Sequence, residues 1–244
     1  MKNQTSLIIG ANSEIAKALA LLLVDDINTH LVVITRNVDF YQQDNFAESK
    51  VIKVDDYQES TINAAIEKLQ QDNLPEIKKV FICHGLLHSK TLQPEKRLSA
   101  FSSDSFIEVL TANTITPMLW LKNLMPIIAG KEECKIVVFS ARVGSISDNE
   151  IGGWYSYRAS KAGINMLLKT AAVELSRTAK NIKLISFHPG TTDTPLSKPF
   201  QKNVPEHKLF SSNFVASQLL QIVANTQVDG QASFLDWEGK QIPW

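Results

Sequence analysis

The sequence predicts a single α/β domain, an open doubly wound parallel sheet with helices on both faces. Three observations predict it. Short runs of Val, Ile and Leu recur along the chain without polar alternation, as strands buried on both sides of a parallel sheet require. Longer stretches of helical character separate them, so strand and helix alternate through right-handed crossovers. No repeat, low-complexity tract or Gly/Ser-rich linker divides the 244 residues, so 1–244 reads as one domain, long enough to bury most of its apolar surface in one core.

Taken in order, the strands are SLIIG at 6–10, LVVIT at 31–35, KVIKV at 50–54, KVFIC at 79–83, KIVVF at 135–139, IKLISF at 182–187 and ASFLD at 232–236. Helices are expected between them at 14–25, 59–72, 104–128, 154–178 and 213–225. The stretch 191–212, with Pro195, Pro199 and Pro205, has no regular pattern. A long irregular segment inside a compact domain is more often functional than accidental.

Bulk properties exclude several classes. Twenty-five basic residues balance twenty-five acidic ones, which leaves no excess to attract nucleic acid or an anionic membrane surface. Two cysteines, Cys83 and Cys134, give neither a disulfide framework nor metal-ligand spacing, and the five histidines form no H-x-x-x-H. No metal is expected. The start, MKNQTSLIIGA, lacks the apolar core of a signal peptide. The longest apolar run, 18–24, is too short to cross about 30 Å of hydrocarbon at about 1.5 Å per residue. The expected setting is the cytoplasm.

Ligands of an open parallel sheet bind beyond the C-terminal strand ends, where strand order reverses. The first strand runs into IIGANSEIAKAL. Gly10 supplies the sharp turn there, and the helix opening near Ser13 offers free N–H groups and a positive dipole end to a pyrophosphate. The second strand ends VVITRN. Arg36 stands where NAD-preferring folds carry an acidic residue, and a guanidinium suits a 2′-phosphate. NADP, with NADPH preferred over NADH, is therefore the expected cofactor. Asp55, closing the third strand, is placed to reach an adenine amino group.

WYSYRASKAGIN, at 154–165, carries the chemistry. Tyr157 and Lys161 lie four apart on one helix face, with Cβ atoms about 5–6 Å apart. A phenol beside an ammonium is driven toward phenolate. Tyr155 is offset by two and is expected to pack. Asn113 precedes Pro117 by four. Proline has no N–H for the Asn113 carbonyl, so the helix should kink and leave that carbonyl free for a water.

With these residues in place, the chain resembles the short-chain dehydrogenase/reductase family over essentially its whole length. GANSEIA resembles the family's TGxxxGIG turn, ICHG its NNAG, TANTITP its asparagine helix, YSYRASK its YxxxK and HPGTTDT its PGxxxT. The ending DWEGKQIPW and the stretch SDNEIG look more like the branch of C-factor-type signalling proteins and small carbonyl reductases. The resemblance implies a Rossmann-type fold and an NADP(H)-dependent oxidoreductase acting on a carbonyl or alcohol. It implies Tyr157 as general acid/base, Lys161 on the nicotinamide ribose, and Asn113 holding a relay water. Cofactor contacts are implied for Gly10, Asn12, Ser13, Ile15, Gly85, Pro189, Gly190, Thr192 and Thr194. A substrate lid is implied at about 191–213, and a homodimer or homotetramer through the helices of Asn113 and Tyr157.

Three departures stand out. Glu14 and Ala16 replace the second and third glycines of the first turn, and Glu14 brings a like charge toward a pyrophosphate. ICHG keeps only the glycine of its motif. In SARVG the place of the catalytic serine is Ala141; Ser140 is the first substitute and Ser145 the second. Losing one preorganised donor costs about 10²–10³ in rate. A rival reading follows, in which the fold is a nucleotide-binding sensor or C-factor-like signalling protein with little or no turnover.

Overall fold

Seven parallel strands run through a computed structural model that describes residues 2–244. In chain order they are β1 (Gln4–Ile9), β2 (Thr29–Thr35), β3 (Lys50–Lys53), β4 (Ile77–Ile82), β5 (Cys134–Phe139), β6 (Ile182–His188) and, after a two-residue pair β7 (Thr191–Thr192) with β8 (Leu209–Phe210), β9 (Ala232–Asp236). The sheet order is β3-β2-β1-β4-β5-β6-β9, so the order reverses beside β1. The helices are α1 (Glu14–Val24), α2 (Glu59–Gln70), α3 (Ser103–Leu110), α4 (Thr116–Ile128), α5 (Tyr155–Thr178) and α6 (Ser212–Asn225).

Alternation within the buried strands builds two cores. On β1, Leu7 and Ile9 face the layer of α2, α4 and α5, where Trp120 and Leu168 are buried. Ile8 faces the layer of α1 and α6, with Leu19 and Leu219. Each such aliphatic side chain contributes about 1.5–3 kcal/mol by leaving water. The main strands and helices follow the expected ranges to within two residues. The pair β7–β8 was not anticipated, because two-residue strands carry no periodicity.

The region read as one helix at 104–128 holds a π-helical turn, Thr111–Ile115, between α3 and α4. There the Thr116 N–H reaches back to the Thr111 carbonyl. Pro117, lacking an N–H, sits at the start of α4. The π turn thus stands just before the proline, where the i→i−4 ladder to Asn113 is interrupted.

The short turn Arg142–Gly144 packs directly on α5. A Cβ at Gly144 would stand 2.7 Å from the Lys161 carbonyl carbon and 2.8 Å from the Lys161 Cβ. Gly144→Ala is therefore expected to lower the unfolding free energy by about 1–3 kcal/mol, read as a lower urea midpoint. An unchanged midpoint would contradict this packing.

Candidate active site

A cavity of about 590 Å³ opens beyond the C-terminal ends of the central strands, beside the reversal of strand order. One wall is the first turn. Gly10 takes a left-handed φ of +73°, and a Cβ there would stand 3.0 Å from His84 Nδ1. Tyr41 donates its hydroxyl hydrogen to the Ala11 carbonyl at 2.6 Å and ties the turn down. Ser13 caps α1, its Oγ accepting from the Ala16 N–H at 3.2 Å. Asn12, Ser13, Glu14 and Ile15 all line the cavity. The Glu14 carboxylate is paired with Lys17 Nζ at 2.9 Å, which offsets the charge it brings to this helix end.

The opposite wall carries Tyr157 and Lys161, both buried. Lys161 Nζ donates to the carbonyl of Phe139, the last residue of β5, at 2.9 Å and lies 5.7 Å from the Tyr157 ring centroid. Burial lowers the Lys161 ammonium to about 7 and pushes the Tyr157 phenol up. At the phenol burial outweighs Lys161, whose charge was expected to act together with that of an oxidised nicotinamide. Both groups sit in a dry interior, and desolvation dominates for each. Tyr155, expected to pack, stands 37 % exposed.

Asn113 is completely buried and lies behind the cavity wall. Its Oδ1 accepts from the Leu86 N–H at 2.7 Å, and its Nδ2 donates to the Leu86 carbonyl at 2.8 Å and to Ser160 Oγ at 3.0 Å. The side chain thus stitches the loop after β4 to α5. Ser140 lines the cavity, but its hydroxyl donates to Asn165 Oδ1 at 2.8 Å. Ser145, the second substitute, is buried outside the wall and accepts from the Asp148 N–H at 3.2 Å. Ala141 packs in an apolar cluster with Tyr157, Leu87 and Val109.

Arg36 stands exposed at the cavity rim, its guanidinium 5.0 Å from the Tyr57 ring centroid. Gly85 leaves open space where a Cβ would project, so that wall admits a ligand closely. Pro189 and Thr194 line the far side. Four expected contacts are not among the lining residues: Gly10, whose turn stands behind the wall against His84, and Asp55, Gly190 and Thr192. Asp55 is exposed two residues past β3. Gly190 is required by packing, because a Cβ there would meet Phe210 at 2.7 Å. Thr192 is buried and donates its hydroxyl to the Pro189 carbonyl at 3.3 Å.

Sequence reasoning missed His84 and His88. His84 sat inside ICHG, where only the loss of the motif was weighed. Its ring lies edge-on to Tyr57 at 4.4 Å, and its Nε2 is buried without a partner. His88 Nε2 donates to the carbonyls of Pro195 and Leu196 at 3.2 and 3.1 Å, joining the loop after β4 to the segment 191–213; no local pattern marks such a contact. Among the described residues, no group of three or more His, Cys, Asp or Glu is arranged to hold a metal ion, and no helix is long and apolar enough to cross a membrane.

A family model described as short chain dehydrogenase matches residues 4–205. The chain is similar to 1-hydroxy-2-glutathionyl-2-methyl-3-butene dehydrogenase of Rhodococcus sp. (strain AD45), 31% identical over 132 residues, which are 54% of this chain and 55% of that protein. It thus spans about half the length of that relative. The C-signal protein of Myxococcus xanthus is 24% identical over 134 residues, 55% of this chain and 75% of that one. Among solved structures, an NADPH-bound carbonyl reductase from chicken fatty liver superposes with a TM-score of 0.81 at 19% identity, covering 99% of this chain and 94% of that one. At that identity the likeness is one of fold.

The two buried imidazoles have a consequence for acid stability. Burial, then the charges of Arg36 and Lys161, lowers His84 to about 3; burial, then Arg142, lowers His188 to about 3. Between these values and an unfolded value near 6.5 the unfolded chain binds more protons, so the stability these groups contribute is present above about pH 6.5 and is lost as pH falls toward 3. Replacing both by asparagine is expected to flatten the fall in melting temperature across that window. An identical slope in wild type and variant would contradict it.

Proposed function

The chain belongs to the short chain dehydrogenase family, and from that premise we propose that it is an NADPH-dependent reductase of a carbonyl compound, working in the cytoplasm. The observation that carries the reading is one cavity lined by Tyr157, Lys161, the N-terminus of α1 and Arg36. The residues fit the dinucleotide: a capped helix end for the pyrophosphate, an open wall at Gly85, and a guanidinium braced on Tyr57 for the 2′-phosphate. When bound, NADPH supplies the hydride for the carbonyl carbon. Tyr157 gives its proton to the carbonyl oxygen. Lys161, held on the Phe139 carbonyl, supplies positive charge that favours the phenolate left behind. The segment 191–213 closes the substrate side, with Thr194, Pro195 and Leu196 in the wall.

A second reading, a nucleotide-binding signalling protein with little turnover, is favoured by one specific observation. The hydroxyl of Ser140, the lining serine that follows β5, is committed to Asn165, and Ala141 offers none. The retained Tyr157–Lys161 pair weighs against it, because binding alone needs no acid/base tyrosine.

We also propose that a second copy of the chain pairs across α3, α4 and α5. Ile107 and Ile115 on one helical stripe, and Met166 and Val173 on the other, are exposed, Met166 by 63%. Met166→Glu with Val173→Glu is expected to halve the mass measured by light scattering; a wild-type monomer would contradict the pairing.

Two measurements test the main reading. NADPH at a hundred times its dissociation constant is expected to add about 2.7 kcal/mol to stability, with a smaller effect from NADH. Arg36→Ala is expected to weaken NADPH by about ten- to a hundredfold while leaving NADH unchanged. NADPH oxidation with 4-nitrobenzaldehyde, acetophenone and 2,3-butanedione is expected to fall by about 10²–10⁴ in Tyr157→Phe. A melting shift without turnover in the wild type would favour the signalling reading, and no shift with either nucleotide would defeat both.

A further inference from the structure

Just before α5 the chain passes through three consecutive residues in the left-handed region, Gly152 at φ +68°, Gly153 at +66° and Trp154 at +53°. Glycine adopts this conformation freely, whereas a tryptophan there is strained and must be held by its surroundings. Trp154 occupies the N-cap position of α5, yet its side chain accepts no hydrogen bond from the helix. An N-cap oxygen normally satisfies the N–H of the second or third helical residue.

A distant residue fills that role. Glu95, in the loop between β4 and α3, is 5 % exposed. Its carboxylate accepts from the Ser156 N–H at 3.2 Å and from the Ser156 hydroxyl, and its backbone carbonyl accepts from the Trp154 N–H at 2.5 Å. A carboxylate at a helix N-terminus also meets the positive end of the dipole. From the other side Arg158 closes the turn, Nε donating to the Gly153 carbonyl at 2.9 Å and Nη2 to the Gly152 carbonyl at 3.1 Å.

What this turn presents is the site. Tyr157 follows Ser156 directly. The Trp154 indole packs edge-on to the Tyr157 ring with centroids 6.1 Å apart, and to Phe200 of the segment 191–213 at 5.0 Å. We infer that Glu95 is a positioning residue for Tyr157: by capping α5 from outside the helix it fixes Ser156 and Trp154, and through them the tyrosine ring and the aromatic contact to Phe200. The inference rests on the reading of Tyr157 as proton donor. A local Ser or Asp at position 154 would cap the helix equally well; a remote carboxylate also couples the helix to the loop that carries His88.

Glu95→Gln keeps the size and one acceptor oxygen but removes the second acceptor and the charge. With NADPH and the three carbonyl probes above, its kcat is expected to fall by about ten- to a hundredfold, the cost of a displaced reacting group, with KM for NADPH unchanged. Amide hydrogen exchange at residues 154–157 is expected to quicken by about tenfold or more while 168–175 keep their rates. Ser156→Ala should cost less alone and little more when added to Glu95→Gln, as one shared interaction requires. A Glu95→Gln enzyme with wild-type kcat, or exchange that rises evenly along α5, would reduce the carboxylate to a structural cap and overturn the inference. A wild type that neither binds NADPH nor turns over any probe would instead defeat the reading of Tyr157, and the inference with it.

Discussion

One hydrogen bond organises the centre of this protein, the donation from Lys161 Nζ to the carbonyl of Phe139. An ammonium only 1% exposed is costly to bury, because little solvation remains. The strand end offsets part of that cost, since the last carbonyl of β5 points out of the sheet toward α5. The two elements are thereby fixed to each other at the mouth of the cavity. Gly144 allows the turn after β5 to lie against the Lys161 backbone, and Asn165, one turn further along α5, gathers the hydroxyls of Ser140 and Ser186. Sheet, turn and helix meet around one buried amine.

The same burial sets the chemistry. Desolvation brings the lysine to about 7, where gaining or losing a proton is easy at neutral pH, and pushes its tyrosine neighbour upward. A phenol in such a place stays protonated, which is the form the proposed reduction asks of Tyr157. The surroundings keep this pair fixed. Asn113 ties the loop after β4 to α5 through Ser160, and it sits in the π turn just before Pro117. Glu14, at the cavity end of α1, is paired with Lys17.

The features legible in the sequence were those with a local cause. Strands buried on both faces leave unbroken Val/Ile runs, so β1 to β6 and β9 could be read with their order. Tyr157 and Lys161 were legible because helical spacing alone sets them side by side, and the disturbance at Asn113 because proline lacks a donor. Contacts between distant segments left no trace: Glu95 on Ser156, His88 on Pro195, Arg36 on Tyr57. Gly190 reads as a cofactor glycine; its packing against Phe210, a contact from a distant segment, could not be read, nor could the exposure of Asp55. The electrostatics were the least legible, since the sequence gives the neighbours of a charge but not the depth at which it is buried.

The account depends most on Lys161 being a buried amine that titrates near neutrality beside Tyr157. The most direct measurement is a pH titration of the protein labelled with ¹³C at lysine Cε, followed by NMR in wild type and Lys161→Met. One resonance is expected to titrate with a midpoint of about 7 and to be missing from the variant. If every lysine titrates near the usual value of about 10.4, the amine is solvated, and the arrangement of β5, α5 and Tyr157 described here is wrong at its centre.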